Sequence, residues 1–295
     1  MMHYTGPIFR PPVEAMLDTK LLQVTVGCAH NKCNFCTMYR SVKFSVEPLK
    51  QIEDDIKELR ATYSNIDRIF LINGDAFVLG RKKLQEITDL IIKYIPEVSV
   101  ITMYASISNI RHKSDEDLIA IKKMRINDLW IGTETGNAQA LIDINKGNTL
   151  DEARKQLLRL VKFGIRHDDG FMLGIGGRGK GIQNAIDTAK LINETKPSIL
   201  WFGTLGLFEG SPMHTAMVNG DFSPATELEI LEEEIKTLEL IDLENVPFYG
   251  IHPTNSSSVY GLLPRDKEKM IAQLRNDILH GDSEFLNSAK QRKTL

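Results

Sequence analysis

The chain has 295 residues, 42% hydrophobic and 25% charged, with a formal net charge of −3. Those proportions fit a folded protein long enough to bury a sizeable core. They argue against a nucleic-acid partner, which would need a basic domain or stripe; pairs such as Lys82-Lys83 and Lys122-Lys123 read as solvated helix faces. No apolar run nears the roughly 18 residues of a membrane span. The residues from Met1 to Pro7 lack the basic start and apolar stretch of a secretory signal. A cytoplasmic location without a membrane partner is the expectation.

Apolar, β-rich runs at 22–26, 68–72, 98–103, 129–133, 170–175 and 199–205 alternate with helical periodicity. Several are continuous, as in strands buried on both faces of a parallel sheet. Between them Leu49, Ile52, Ile56 and Leu59 share one helix face, as do Leu84, Ile87 and Ile91. Ser114 is an N-cap followed by an acidic first turn, and Thr149 caps a helix carrying Ala153, Leu157 and Leu160. Ile182, Ala185, Ile186 and Ala189 form the next stripe, and Ser223-Pro224 is expected to open a helix with Leu228, Leu231, Ile235 and Leu238. After Asn245 the pattern turns loop-rich until Pro264-Arg265-Asp266 starts a last helix, and the tail Lys290-Gln291-Arg292-Lys293 is expected to fray. About six βα units imply an α/β fold with a parallel sheet. Barrel, partial barrel and open doubly wound sheet all remain open, and all place a site at the C-terminal strand ends.

All three cysteines stand in Gly27-Cys28-Ala29-His30-Asn31-Lys32-Cys33-Asn34-Phe35-Cys36, directly after the first strand. Two-residue spacing makes a poor disulfide, and in a reducing compartment such a group reads as a metal or redox site. Three thiolates from one loop can hold three corners of an iron–sulfur cube and leave the fourth iron open, as catalysis requires. Zinc bound by the cysteines and His30 is one alternative. A Cys33/Cys36 redox pair is another, and it leaves Cys28 unexplained.

Cys28-x4-Cys33-x2-Cys36 after the first strand of a βα array, with Phe35 before the third cysteine, resembles the radical S-adenosylmethionine (radical SAM) superfamily. The four-residue gap departs from the commoner three. The stretch from Arg10-Pro11-Pro12-Val13-Glu14 to Cys33 is similar to a short subgroup related to the Elp3-like and coproporphyrinogen-oxidase-like enzymes. The likeness runs from about residue 8 to about residue 270. It implies a partial (β/α)6 TIM-like barrel over residues 21–245, preceded by a segment 1–20 and followed by a loop-plus-helix extension 246–295. It also implies one [4Fe-4S] cluster on Cys28, Cys33 and Cys36, and S-adenosyl-L-methionine (SAM) as second cofactor.

Carried over strand by strand, the resemblance gives Asn73, Gly74 and Asp75 to the amino group of SAM. Ser106 or Arg111 takes the carboxylate, Glu134 the ribose, and the backbone at Leu173 and Gly174 the adenine. Gly132-Thr133-Glu134-Thr135-Gly136 followed by Asn145-Lys146-Gly147 matches well. The family's Pro-Gly-Glu is here Gly176-Gly177-Arg178. Tyr39, Glu209 and His252 are candidates for touching substrate. Asp169 could project inward from its strand. The implied activity is reductive cleavage of SAM and abstraction of a hydrogen atom from a small molecule, in lyase, isomerase or oxidoreductase chemistry, with a flavodoxin- or ferredoxin-type electron donor. With no fourth cysteine, a methyl-carrying cysteine and a second cysteine-bound cluster are not expected. A haem-binding chaperone is the non-enzyme alternative.

Overall fold

The computed structural model describes residues 3–6 and 8–292. Met1, Met2, Pro7 and Lys293 lie outside them, and with them part of the leader and tail readings.

Two compact units divide the chain. The first holds Met1–Asn31, Met38–Ile131 and Gln156–His167. It opens with α1 (Pro12–Met16) and β1 (Lys20–Gln23), followed by β2 (Thr25–Val26), which pairs antiparallel with β3 (Ser45–Val46) in a sheet of its own. The single strand expected at 22–26 is therefore two, parted at Val24. Then come α2 (Leu49–Thr62), β4 (Arg68–Ile72), a 3-10 turn at Ala76–Val78, α3 (Arg81–Tyr94), β5 (Val100–Ala105), α4 (Ile107–Arg111), α5 (Asp115–Lys123) and the start of β6 (Ile126–Glu134). β1 pairs parallel with β4, β4 with β5, and β5 with β6. The expected stripes are the buried ones: Ile52, Ile56 and Leu59 on α2, Leu84, Ile87 and Ile91 on α3. Ser114 caps α5 in a reciprocal box with Asp117.

The second unit holds Lys32–Thr37, Gly132–Lys155 and Asp168–Leu295. Its elements are α6 (Ala138–Asp143), the start of α7 (Leu150–Lys162), whose later turns belong to the first unit, most of β7 (Arg166–Leu173), α8 (Gly181–Thr195), β8 (Ile199–Thr204), α9 (Pro212–Asn219), α10 (Glu227–Leu240), β9 (Val246–Gly250), β10 (Val259–Leu263), α11 (Lys267–His280) and α12 (Ser283–Leu286). β7 pairs parallel with β8 and β8 with β9, while β9 and β10 form an antiparallel hairpin. Phe171, Leu173, Leu200, Phe202 and Phe248 pack with residues of α8, α10 and α11 in one core. Side chains alternate along a strand, so Asp168, Trp201, Gly203 and Tyr249 take the opposite face.

The eight strands follow the order β1-β4-β5-β6-β7-β8-β9-β10. The order never doubles back along the chain. That decides for the TIM-like winding over a doubly wound sheet, whose strand order reverses at a switch point.

Several expectations are corrected. The extension is not merely loop plus helix: it supplies β9 and β10. Pro247 hid β9, because proline demotes a strand reading; β8 pairs only with Phe248 and Tyr249, so Pro247 stands clear of that ladder. The Ser-Pro opening belongs to Ser211-Pro212 at α9, while α10 is capped by Thr226 with Glu229. On α8, Ile182 and Ile186 are exposed and Leu191 and Ile192 are buried beside Ala185 and Ala189. The tail is pinned: Arg292 is buried and pairs through both terminal nitrogens with the Glu227 carboxylate. Asp169 shares the helix-side face with Phe171, so Asp168 is the acid opposite it. No helix among the described residues is long and apolar enough to cross a membrane.

Candidate active site

In the first unit, the chain leaves β2 through Gly27 at φ 77°, and the Gly27 carbonyl accepts from the Gly74 N–H at 3.1 Å. That bond holds the loop after β4 against the start of the cysteine segment. A Cβ on Gly74 would stand 2.5 Å from the Tyr39 ring and 3.1 Å from the Cys28 Cβ. Only glycine allows the approach. Asn73, at φ 78° and fully buried, donates to the Thr25 carbonyl at 2.9 Å and to the Gln23 Oε1 at 3.3 Å. The Asn73 amide nitrogen and the Gly74 N–H thus serve the fold. An ammonium group needs acceptors, and this turn offers its carbonyl oxygens, the carboxylate of Asp75 and the Asn73 Oδ1, which is buried and unpartnered among the described residues.

The Ser106 hydroxyl accepts from the Asn109 N–H as the N-cap of α4, a bond that leaves its own O–H to donate. Arg111 is exposed in the last turn of that helix. Tyr39 is buried, edge-on to Phe9 with centroids 5.7 Å apart, and its carbonyl accepts from the Asn31 side chain at 2.7 Å. Its ring is packing for the Gly74 turn.

In the second unit, three bonds tie the segment carrying Cys33 and Cys36 to the end of α6. The Asn34 N–H donates to the Ile144 carbonyl at 2.8 Å, the Asn34 side chain to the Asp143 carbonyl at 2.7 Å, and the Asn145 side chain to the Lys32 carbonyl at 3.0 Å. The next residue, Lys146, is brought beside both cysteines. Its Nζ meets the Glu134 Oε1 at 2.6 Å, with both side chains nearly buried. Burial works against its charge, but Glu134, Cys33 and Cys36 together raise its pKa. Lys146 therefore stays protonated. Glu134 reaches it from φ 67°, and a Cβ on Gly132 would collide with the Glu134 Oε1 at 2.4 Å and press the Lys146 Nζ at 3.0 Å. Glycine at 132 is the cradle of this ion pair.

None of the three cysteines forms a disulfide, and all are half-buried. Among the described residues no group of three or more His, Cys, Asp or Glu side chains could hold a single metal ion. Thiolates that bind separate irons of a cube do not need to converge on one point, and a cation beside them stabilises their charged form. The chemistry of the donor set therefore fits a cluster.

At the end of β7, Leu173 is buried in the helix-side core and its carbonyl accepts from the Leu205 N–H at 2.9 Å. Gly174, at φ 73°, donates its N–H to the Glu233 Oε2 at 2.9 Å. Beyond β8, Glu209 is exposed. His252 lies over Gly203, edge-on to Trp201 with centroids 5.9 Å apart. Its Nδ1 takes the Thr254 hydroxyl at 2.7 Å and the Thr254 N–H at 3.2 Å, and Thr254 Oγ1 accepts from the Thr204 N–H at 3.1 Å. Burial lowers the His252 pKa. The ring is thus neutral near pH 7, with its proton on Nε2. Sequence reasoning did not single out two of these residues. Lys146 was visible only as part of a motif match, and Glu233 lies in a run of three glutamates that reads as solvated helix.

The radical SAM superfamily model matches residues 22–192, more than half of the chain. The chain belongs to the radical SAM superfamily. It is therefore an enzyme whose cofactors are a [4Fe-4S] cluster and SAM, and its chemistry begins with reductive cleavage of SAM. Among solved structures it is similar to the archaeal Methanocaldococcus infernus Elp3 lacking N-terminal residues, at 15% identity and TM-score 0.56, covering 89% of this chain and 64% of that one. Coproporphyrinogen III oxidase (HemN) from Escherichia coli is 13% identical at TM-score 0.56, covering 75% and 52%. The methyltransferase TsrM from Kitasatospora setae, bound to cobalamin and a [4Fe-4S] cluster, is 14% identical at TM-score 0.54, covering 68% and 39%. At such identities the likeness concerns the fold. The chain spans about two fifths of TsrM and just under two thirds of Elp3. Against curated proteins the sequence has no match.

Proposed function

We propose that this enzyme holds its cluster on Cys28, Cys33 and Cys36 and uses SAM to take a hydrogen atom from a small organic molecule, ending in lyase, isomerase or oxidoreductase chemistry. The observation that carries the reading is the Lys146–Glu134 pair in the Gly132 cradle, which stands beside two of the three cysteines at the end of β6. A flavodoxin- or ferredoxin-type protein is the proposed electron donor. Residues 21–245 form the core that binds both cofactors, and 246–295 the extension that adds β9 and β10.

When bound, the cluster and SAM together supply an electron and a 5′-carbon radical. The protein's share is placement and shelter. The carbonyls of the Asn73–Asp75 turn and the Asp75 carboxylate accept from the SAM ammonium. Lys146, held protonated, faces the SAM carboxylate and offsets the charge of the thiolates. We put Lys146 ahead of Ser106, a neutral donor that also caps α4, and of the exposed Arg111. Glu134, fixed through Oε1, keeps Oε2 for a ribose hydroxyl, and the backbone at Leu173 and Gly174 borders the adenine. Of the substrate candidates, His252 has the best support: its Nε2 proton is the free donor of an otherwise anchored ring, on the face that carries Trp201. Tyr39 packs and Glu209 is exposed.

Two variants test this. Cys33→Ala, reconstituted anaerobically, should hold essentially no iron or sulfide by metal and sulfide analysis and release no 5′-deoxyadenosine; retained cleavage refutes the ligand assignment. Lys146→Met should keep its iron and sulfide but bind SAM about 10- to 100-fold more weakly, as loss of an outer partner does at metal sites. Unchanged SAM affinity removes Lys146 from the site.

A further inference from the structure

Glu233 is buried in the middle of α10, 1% exposed, with no cation against it among the described residues. Its Oε2 accepts from the Gly174 N–H, and its Oε1 accepts from the Asn184 side chain at 2.6 Å. Asn184, on α8, accepts in turn from the Thr135 hydroxyl, and Thr135 Oγ1 accepts from the Asn137 N–H at 2.8 Å. The neighbouring Gly136 N–H donates to Thr188 at 3.0 Å, and a Cβ on Gly136 would meet the Asp187 carbonyl at 2.2 Å. One buried chain of hydrogen bonds therefore joins the loop after β6, next to Glu134, with the loop after β7, at Gly174.

Such a carboxyl is costly to keep. Burial, and Glu229 on the same helix, push its pKa up to about 7. An apolar side chain would suit a core that had only to be filled. The loop it serves, Gly174-Ile175-Gly176-Gly177-Arg178, has glycines at positive φ at 174 and 177 and no acid of its own.

We propose that Glu233 is a positioning residue for SAM, setting the spacing of the ribose and adenine loops through Asn184 and Thr135. This rests on the assignment of those loops under Proposed function and adds a residue that touches neither cofactor. Gln at 233 can preserve the chain of bonds if the Asn184 amide turns over, because Thr135 Oγ1 can accept as well as donate. Ala cannot.

The test titrates the full-length, anaerobically reconstituted chain with SAM and, separately, with methionine alone, read from the EPR signal of the reduced cluster. Glu233→Ala should weaken SAM binding about tenfold or more and leave methionine binding within about twofold, while Glu233→Gln stays within about threefold of the parent for SAM. An Ala variant with unchanged SAM affinity overturns the proposal, as does one that loses SAM and methionine equally, the mark of a merely structural role. Should Glu233→Ala not fold, Thr135→Val carries the test, since it cuts the chain at its far end and leaves Glu233 paired. About threefold weaker SAM binding supports the proposal and unchanged binding overturns it. A parent protein that binds methionine but not SAM defeats the loop assignment itself, which is a different failure.

Discussion

Both units bury carboxylates, and they treat them in opposite ways. In the first, Glu14 is fully buried and saturated. Arg68 donates to both of its oxygens at 2.8 and 2.5 Å, Trp130 Nε1 donates at 2.6 Å and the Thr19 hydroxyl at 2.6 Å, while Arg68 also reaches Asp128 at 2.7 Å. In the second, Glu233 has only neutral donors and Glu234 lies against Gly250 with its Oε1 unpartnered among the described residues. Burial, with the charge of Glu233, pushes Glu234 up to about 8. A carboxylate met by a cation is a fastening. One left among neutral groups carries an uncompensated cost of burial.

The sharpest way to break the contrast is to remove the cation. Arg68→Met strands Glu14 and Asp128 in the core and should cost about 3–5 kcal/mol in urea unfolding at pH 7. A loss under about 1 kcal/mol would show that the first unit's network is no fastening at all. Glu234 predicts the reverse sign. The unfolded chain releases its proton near 4.5, whereas the folded chain holds it to about 8. Folding therefore takes up a proton between those values, and this group's stability contribution falls as pH rises through the window and levels off above it. Glu234→Gln should leave stability nearly unchanged at pH 4, flatten that fall, and gain on the order of 3 kcal/mol by pH 9 in the same assay. An unaltered pH slope would mean the acid is not held neutral. Smallest, the two reciprocal caps should behave alike: Ser114→Ala in one unit and Thr226→Ala in the other each cost about 1 kcal/mol by thermal unfolding.

The βα alternation was legible because continuous apolar runs and a 3.6-residue period are local properties, and they located β4, α2, α3 and α5. The strand order that chose between winding schemes is not local, nor is the partner of a strand that contains proline, so β9 and β10 were read as loop. The cysteines announced themselves by spacing. Lys146 did not, since a lysine followed by glycine looks the same on any surface until the Asn34 and Asn145 bonds bring it to Cys33 and Cys36. Glu233 escaped for a different reason: a glutamate on a helix is presumed solvated, and only the tertiary packing of α8 and β7 around α10 buries it. Ser106 shows an N-cap signal legible in the structure, its hydroxyl accepting from the Asn109 N–H.

The close contacts at Gly74, Gly132 and Gly136 also bear on how the protein tolerates change. A saturation-mutagenesis map read out as SAM binding would find little tolerance at Gly74 and Gly136, which carry no side chain to lose. Even alanine there drives a methyl group into the Tyr39 ring or the Asp187 carbonyl, whereas at Gly132 it meets the ends of the Glu134 and Lys146 side chains. Gly80, with nothing within 4 Å of its Cβ position, would accept most residues. The missing side chains at Gly74 and Gly136 are thus a heritable part of the structure, and a library designed to alter this enzyme's chemistry should keep glycine at both.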